Sequence, residues 1–126
     1  MNNKLILLVD DEEEILTIYG SVLKNAGFEV ITAPDGLKAI EIAKEKNPDL
    51  ILLDLKMPAM NGAEAFLEMK DDPQLKNTKI VFLTAFSDPE KVEIDEKFAK
   101  EAGAFDFIKK GISLEEFAEK VKGYLK

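Results

Sequence analysis

Residues 50–62 read LILLDLKMPAMNG, and this stretch decides the fold. Its first four residues are an unbroken apolar run bounded by polar and turn residues, a pattern typical of a short strand buried on both faces. The run ends in Asp54, and a carboxylate there is costly unless a partner or an ion compensates its charge. In parallel α/β sheets, ligands bind at the carboxyl ends of the strands. The stretch therefore predicts a buried strand with a functional acid at its end.

The first apolar run of the chain repeats this arrangement. LILLV at residues 5–9 is followed at once by Asp10 and Asp11. Two buried strands thus bring three carboxylates towards one place, and like charges that close need a cation. Oxygen ligands suit a hard ion such as Mg²⁺, which keeps several waters and takes one or two carboxylates. We therefore predict Mg²⁺ as the cofactor, bound near Asp10, Asp11 and Asp54.

Short apolar runs alternate with amphipathic stretches along the whole chain. The predicted strands are residues 5–9, 28–32, 50–53, 80–83 and 105–108. Five helices are predicted from their end residues. Three have both ends marked: 12–26 before Gly27, Asp35-Gly36 to Asn47-Pro48, and Ser87 to Gly103. For the other two, a capping pair marks the start: Asn61 with Glu64, and Ser113 with Glu116. The first helix has one apolar face, formed by Ile15, Ile18, Tyr19, Val22 and Ala26. Strict alternation of strands and helices predicts a parallel sheet with right-handed crossovers and helices on both faces.

Composition and charge exclude several classes of function. The 126 residues suffice for one domain with a core of ordinary size. A net charge of −8 argues against direct binding to nucleic acid or to an anionic membrane. The absence of cysteine and histidine excludes disulfides, thiolate sites, histidine acid–base chemistry and most zinc sites. The residues before the first strand offer no signal-peptide core or membrane span, so we expect a cytoplasmic protein.

The polar residues at the predicted strand ends form one chemical set. In chain order they are Asp10, Asp11, Asp54, Thr84 and the pair Lys109-Lys110. Asp54 is a candidate nucleophile towards phosphorus, because carboxylates can form acyl phosphates and an ionised carboxylate needs no general base. The metal and a lysine would neutralise charge on the transferring phosphoryl group, and Thr84 would donate a hydrogen bond to one of its oxygens.

At these residues the sequence resembles the receiver domain of the two-component response-regulator family. The motifs that carry the resemblance are Asp10-Asp11, Asp54, the Met-Pro-x-Met-Asn-Gly loop at 57–62, Thr84-Ala85, and the Gly-Ala-x-x-aromatic-x-x-Lys ending at 103–110. The resemblance covers residues 1–126 as a single receiver domain. It implies a flavodoxin-like, doubly wound α/β fold: a five-stranded parallel sheet of order 2-1-3-4-5 with five helices on two faces. Single-domain regulators of the chemotaxis and sporulation-relay type are the nearest kind.

The resemblance also implies an acceptor and a set of metal ligands. Asp54 would accept the phosphoryl group and contribute to the Mg²⁺ site. Asp11 would bind the ion directly and Asp10 through water. The backbone carbonyl of Lys56 would be a further ligand.

Two further roles follow from the resemblance at the end of the chain. Thr84 would act in catalysis and, together with Phe107 at the switch-aromatic position, in the conformational switch. Counting seven residues from Gly103 assigns the family's catalytic lysine to Lys110 rather than Lys109.

Gly111 stands where the family commonly has a proline after the lysine, often with a cis bond. A cis bond before a non-proline residue costs about 2.5–4 kcal/mol, so we expect the Lys110–Gly111 bond to be trans. Glycine also permits unusual backbone angles, so we expect Lys110 still to point at Asp54.

The function implied is signalling rather than turnover of a separate substrate. The chain would take a phosphoryl group from a sensor histidine kinase or a phosphotransfer protein, and would catalyse only its own phosphorylation and dephosphorylation. The added charge, about −1.5 to −2, would bias a pre-existing conformational equilibrium. In the family this change reaches the face made by the fourth helix, fifth strand and fifth helix, where a downstream protein binds. Because no output domain follows Lys126, we expect a stand-alone regulator or relay intermediate.

Several alternatives remain open. An aspartyl-phosphate phosphohydrolase needs a second acid two residues past the nucleophile, where this chain has Lys56. A flavin-binding module would need a hydroxyl- and glycine-rich loop after the first strand, where this chain has acids. A non-phosphorylated pseudo-receiver acting as an interaction module is disfavoured by the complete set of acids, Thr84 and Lys110. Asp10-Asp11 could also simply cap the first helix, because Asp11 and Glu14 have capping spacing, and this role is compatible with metal binding.

Overall fold

The computed structural model describes residues 3–55, 62–84, 97–98 and 100–126. Its strands are β1 (Leu5–Val9), β2 (Glu29–Ala33), β3 (Leu50–Asp54), β4 (Lys79–Thr84) and β5 (Asp106–Lys109). They form one parallel sheet in the order β2-β1-β3-β4-β5. The predicted sheet and its order are confirmed, and the strand bounds differ from the prediction by one residue at most at each end.

The connections between strands are helical. The helices with complete bounds are α1 (Glu13–Asn25), α2 (Gly36–Lys46), α3 (Gly62–Asp71) and a C-terminal helix (Leu114–Tyr124). Residues 97–98 and 100–102 are also helical and belong to the predicted fourth helix. The predicted start of that helix at Ser87 and the predicted cap at Asn61 lie outside the described residues. In the part of the chain described, no helix combines the length and the apolar character needed to cross a membrane.

Helix ends form where the sequence provides a capping group. The Asp35 carboxylate accepts a hydrogen bond of 2.8 Å from the backbone N–H of Lys38 at the start of α2. The Ser113 hydroxyl accepts one of 3.0 Å from the N–H of Glu116 at the start of the C-terminal helix. Asn47 ends α2 in the left-handed conformation, with φ of 50°.

The start of α1 differs from the capping alternative. The residue before the helix is Glu12, whose side chain makes no capping hydrogen bond. The N–H of Glu12 is bound instead by Asp10 Oδ1 at 2.9 Å. The interpretation of Asp11 as the N-cap residue is therefore wrong, because the helix begins one residue later and Glu12 takes that position.

Both faces of the sheet are covered by apolar side chains, because successive residues of a strand point to opposite faces. One cluster packs between the sheet and the helices α2 and α3, and a second packs against α1 and the C-terminal helix. All five residues of β3 are buried, as expected for a central strand. On α1 the buried residues are Tyr19, Gly20 and Leu23, whereas Ile18, predicted to lie on the apolar face, is 43% exposed.

Two leucine substitutions test this assignment of the core. Leu52→Ala removes a fully buried side chain from β3 and should lower the free energy of unfolding by about 2–5 kcal/mol. Leu67→Ala removes a side chain that is 54% exposed, so it should change that free energy by less than about 0.5 kcal/mol. Urea titration followed by circular dichroism measures both. Similar losses in the two variants would contradict the burial pattern.

Candidate functional site

Parallel pairing brings the polar strand ends to one edge of the sheet. Val9 pairs with Leu53, so Asp10, which follows β1, and Asp54, the last residue of β3, lie at the ends of neighbouring strands. Asp54 pairs with Leu83, and Thr84 is the next residue of β4. Lys110 directly follows β5, and its backbone N–H donates to the Thr84 carbonyl at 2.7 Å. Four of the predicted site residues therefore lie together at the carboxyl edge.

The Lys110 ammonium lies between two buried carboxylates. Its Nζ is 2.6 Å from Asp10 Oδ2 and 3.4 Å from Asp54 Oδ2. The side chain of Asp10 is fully buried, and that of Asp54 is 7% exposed. Burial acts to lower the pKa of Lys110, but the hydrogen bond to Asp10 and the charges of Asp54 and Asp10 raise it above its ordinary value. The lysine is thus held charged beside the candidate acceptor.

The two adjacent lysines have different surroundings. Lys109 is the last residue of β5, and its register partner is Thr84. It lines a groove beside the C-terminal helix, together with Glu116 and Lys120. Only Lys110 of the two makes an ion pair with Asp10 and Asp54 within the described residues, as the count from Gly103 predicts.

The backbone after Lys110 matches the expectation drawn from glycine. No cis peptide bond occurs among the residues described, so the Lys110–Gly111 bond is trans. Gly111 has φ of +105°, a conformation that side chains other than glycine rarely adopt. The expected trans bond and the expected unusual backbone angles at Gly111 are both confirmed.

Three consecutive acids form the strongest candidate for a metal centre. Carboxylate oxygens of Asp10, Asp11 and Glu12 all lie within 4.8 Å of one another, and Asp11 and Glu12 are exposed. An oxygen-only donor set suits Mg²⁺, so these residues fit the ion that the sequence predicts. Glu12 was not among the predicted ligands, although three successive acids after a buried strand were a visible signal. Lys56, the predicted carbonyl ligand, lies outside the described residues.

Thr84 has the surroundings expected of a donor to a bound group. It is 1% exposed, and its hydroxyl oxygen is buried without a hydrogen-bond partner among the residues that the structure describes. An unsatisfied buried polar group costs about 1–3 kcal/mol. A hydroxyl in this position fits a site whose ligand carries acceptor oxygens.

Phe107 lies inside β5, paired with Phe82, and is partly buried against the cluster below α2 and α3. In the sheet, β4 lies between its strand and β3, the strand of Asp54. Its assignment as the switch aromatic stays a prediction, and residues 57–61 and Ala85 of the motifs lie outside the described residues.

The sequence model of the response regulator receiver domain matches residues 6–122. The chain belongs to this family. The receiver is 33% identical over 122 residues to the polar-differentiation response regulator DivK of Brucella ovis, which covers 97% of this chain and 96% of that protein. Receiver domains of response regulators are signalling modules rather than typical enzymes.

Solved structures agree with this assignment. The receiver superposes on a putative response regulator from Chloroflexus aurantiacus with a TM-score of 0.88 and 28% identity, covering 98% of each chain. The chemotaxis response regulator CheY4 of Vibrio cholerae gives a TM-score of 0.86 and 31% identity over 98% of this chain and 99% of that one. The recognised family and the flavodoxin-like fold with five strands and five helices are therefore confirmed.

Substitution of each lysine tests the electrostatics of the receiver site. Lys110→Met leaves the buried Asp10 carboxylate without its ammonium, so we expect a loss of about 3 kcal/mol in the free energy of unfolding. Lys109→Met is the matched control and should cost less than about 1 kcal/mol, as a charge near the surface does. Both are measured by urea unfolding in buffer containing a chelator. A larger loss in the control would reverse the assignment of the two lysines.

Proposed function

We propose that this receiver accepts a phosphoryl group on Asp54 from the phosphohistidine of a sensor histidine kinase or a phosphotransfer protein. The observation that carries the proposal is the Lys110 ammonium, 3.4 Å from the Asp54 carboxylate at the carboxyl edge of the sheet. An ordinary buried ion pair would need only these two groups. The neighbouring acids and the buried Thr84 hydroxyl are what a phosphoryl-transfer site requires in addition.

In the proposed reaction an Asp54 carboxylate oxygen attacks phosphorus. The new oxygen–phosphorus bond forms as the phosphorus–nitrogen bond of the donor breaks, and the electron pair of that bond returns to the donor's imidazole. Lys110 neutralises developing charge on the phosphoryl oxygens, and Thr84 donates a hydrogen bond to one of them. An ionised carboxylate is already nucleophilic, so no residue has to act as a general base.

Mg²⁺ would be held by Asp10, Asp11 and Asp54, with the carbonyl of Lys56 as a further ligand and Glu12 close by. When bound, the ion would neutralise charge on the phosphoryl oxygens and orient them for transfer. The support for this part of the proposal is the donor set, because carboxylate oxygens are the groups that Mg²⁺ prefers.

Output is proposed at the face made by the fourth helix, β5 and the C-terminal helix. The phosphoryl group adds about −1.5 to −2 charges next to Thr84, which draws its hydroxyl towards Asp54. Phe107 lies in β5, the strand paired with the strand of Thr84, and is the proposed switch aromatic. Two exposed apolar side chains suit a protein target: Phe105, directly before β5, and Leu114, the first residue of the C-terminal helix. A kinase donor of this kind would place the protein in the cytoplasm.

Mass spectrometry tests the acceptor. After incubation with acetyl phosphate and Mg²⁺, the wild type should gain the mass of one phosphoryl group, and Asp54→Asn should gain none. Asp71→Asn is the control, because it removes an exposed carboxylate at the far end of α3. A full adduct on Asp54→Asn would show that another residue is the acceptor. No adduct on any variant would favour the alternative of a non-phosphorylated interaction module, and profiling against a panel of histidine kinases would then identify or exclude a donor.

Calorimetric titration with Mg²⁺ tests the metal ligands. We expect weak binding by the wild type, since the ion retains several waters, and a loss of roughly tenfold or more in Asp11→Asn. Glu13→Gln is the matched control, because this exposed acid lies in the first turn of α1 outside the cluster of three. Equal affinities in the wild type and Asp11→Asn would remove Asp11 from the site.

A further inference from the structure

β2 is an edge strand of the sheet, so one of its sides has no neighbouring strand among the described residues. Edge strands are commonly protected from pairing with other chains by lysine, proline, a bulge or a very short length. β5, the other edge strand, has only four residues, DFIK, and is charged at both ends. β2 reads EVITA, with one charge at its first residue and three successive β-branched residues, and it pairs with β1 in unbroken register. This edge is therefore the less protected of the two.

The hydrogen bonds to β1 determine which backbone groups of β2 point outwards. The Glu29 N–H donates to the Lys4 carbonyl at 3.0 Å, and the Ala33 carbonyl accepts from the residue after β1 at 3.2 Å. Successive residues of a strand direct their N–H and C=O groups to opposite sides, so residues 29, 31 and 33 pair with β1. The backbone groups of Val30 and Thr32 therefore point away from the sheet, where an added strand can pair with them.

An open groove of about 560 Å³ lies beside the amino end of β2. Phe28, Val30 and Ile31 give it an apolar lining, and all three are partly buried. Val30 packs against the cluster next to α1, whereas Ile31 packs against the cluster below α2 and α3. An added strand would thus find apolar surface on both faces of the sheet.

Two lysines border the groove, one from each face of the sheet. Lys24 lies in the last turn of α1, and Lys46 is the last residue of α2. The Lys46 ammonium is 3.8 Å from the exposed Glu45 carboxylate, a surface pair of little strength that an acid of a ligand can displace. Glu29 is the one acid that lines the groove among the described residues. The groove is therefore positive in a chain whose net charge is −8, which favours an acidic partner.

We propose that the free side of β2 binds an extended segment of a partner protein, with a short apolar centre and acids at its ends. The segment adds a strand to the sheet, pairs with the backbone of Val30 and Thr32, and brings its acids to Lys24 and Lys46. The groove lies at the amino ends of β1 and β2, whereas Asp54 lies at the carboxyl edge. A partner bound there leaves the phosphorylation site open, so the surface suits a protein that holds the receiver in place.

Amide hydrogen exchange of the full chain, followed by NMR, tests the proposal. The probe is the blocked peptide Asp-Val-Thr-Val-Thr-Val-Asp, whose sequence is the same in both directions, so parallel and antiparallel addition are tested together. In the free protein the N–H groups of Val30 and Thr32 should exchange rapidly, whereas that of Ile31 should be protected by β1. Roughly 5 mM peptide should slow exchange at Val30 and Thr32 about fivefold, as a dissociation constant near 1 mM requires. Unchanged exchange at both residues would overturn the proposal.

Substitution of Thr32 tests the pairing of the backbone. Thr32→Pro removes one outward N–H at a position of an edge strand where proline is tolerated. Thr32→Val is the matched control, because it keeps the N–H. We expect Thr32→Pro to weaken peptide binding roughly three- to tenfold, the usual effect of one lost hydrogen bond, and Thr32→Val to change it less than about twofold. Equal affinities in the two variants would overturn strand addition.

The charge of the groove is tested without altering the backbone of β2. The same peptide with lysine in place of both aspartates should bind the wild type about fivefold more weakly or less. Lys24→Gln and Lys46→Gln should each weaken binding of the aspartate peptide about two- to fivefold. Lys38→Gln is the control, because this exposed lysine lies in the first turn of α2, away from the groove. Equal binding of the two peptides would overturn the assignment of an acidic partner.

Sedimentation of the free protein distinguishes a partner segment from a second copy of the chain. A monomer with rapid exchange at Val30 and Thr32 is the expected result. A dimer in which these two N–H groups are protected would assign the edge to a second copy and overturn the proposal. None of these measurements requires phosphorylation of Asp54, so a failure of the proposed function would leave their outcomes unchanged.

Discussion

The ammonium of Lys110 between Asp10 and Asp54 is the interaction on which the site depends. Like charges at the ends of neighbouring strands repel one another, and burial strengthens the repulsion because the surroundings screen it less than water does. One cation shared by both carboxylates offsets this cost. The sharing is possible only because β1, β3, β4 and β5 end at the same edge in this order, and because the N–H of Lys110 is held by β4. The formation of the site thus depends directly on the strand order of the sheet.

The charge balance at this edge suits a second cation. Asp10, Asp11, Glu12 and Asp54 supply four carboxylates, and Lys110 supplies one ammonium. Phosphorylation would add further negative charge beside Thr84, so the demand for positive charge is greatest in the phosphorylated form. A lysine cannot increase its charge, whereas a divalent ion can enter through the exposed side of Asp11 and Glu12. The buried lysine therefore offsets the charge of the buried carboxylates, whereas the exposed acids can bind an ion that offsets the charge of the phosphoryl group.

Much of this arrangement was predictable, because each functional residue stands at the end of an apolar run that forms part of the core. Apolar runs fixed β1, β3 and β4, so the residues after them had to meet at one edge, and the count from Gly103 separated Lys110 from Lys109. Other features depend on tertiary geometry. Asp11 does not cap α1, since the helix begins at Glu13 and Glu12 is the residue before it. Ile18 is exposed because α1 turns Tyr19 and Leu23 to the core. Glu12 was not predicted as a ligand, and only the folded chain brings its oxygens to those of Asp10 and Asp11.

The stacking of Tyr19 on Phe117 could not be predicted, since no local pattern relates segments that far apart in sequence. In the structure it joins α1 to the C-terminal helix, which begins close to the site. Only Gly111, Ile112 and the cap Ser113 separate Lys110 from the C-terminal helix. The far end of that helix is tied to the sheet, because Lys79 donates to the Tyr124 carbonyl at 2.7 Å and the Tyr124 hydroxyl donates to Asp106. A shift of Lys110 would therefore move the near end of this helix, while its far end stays anchored to the sheet. Tyr19 stacks on Phe117 of the same helix, so α1 supports this helix between its near end at the site and its far end on the sheet.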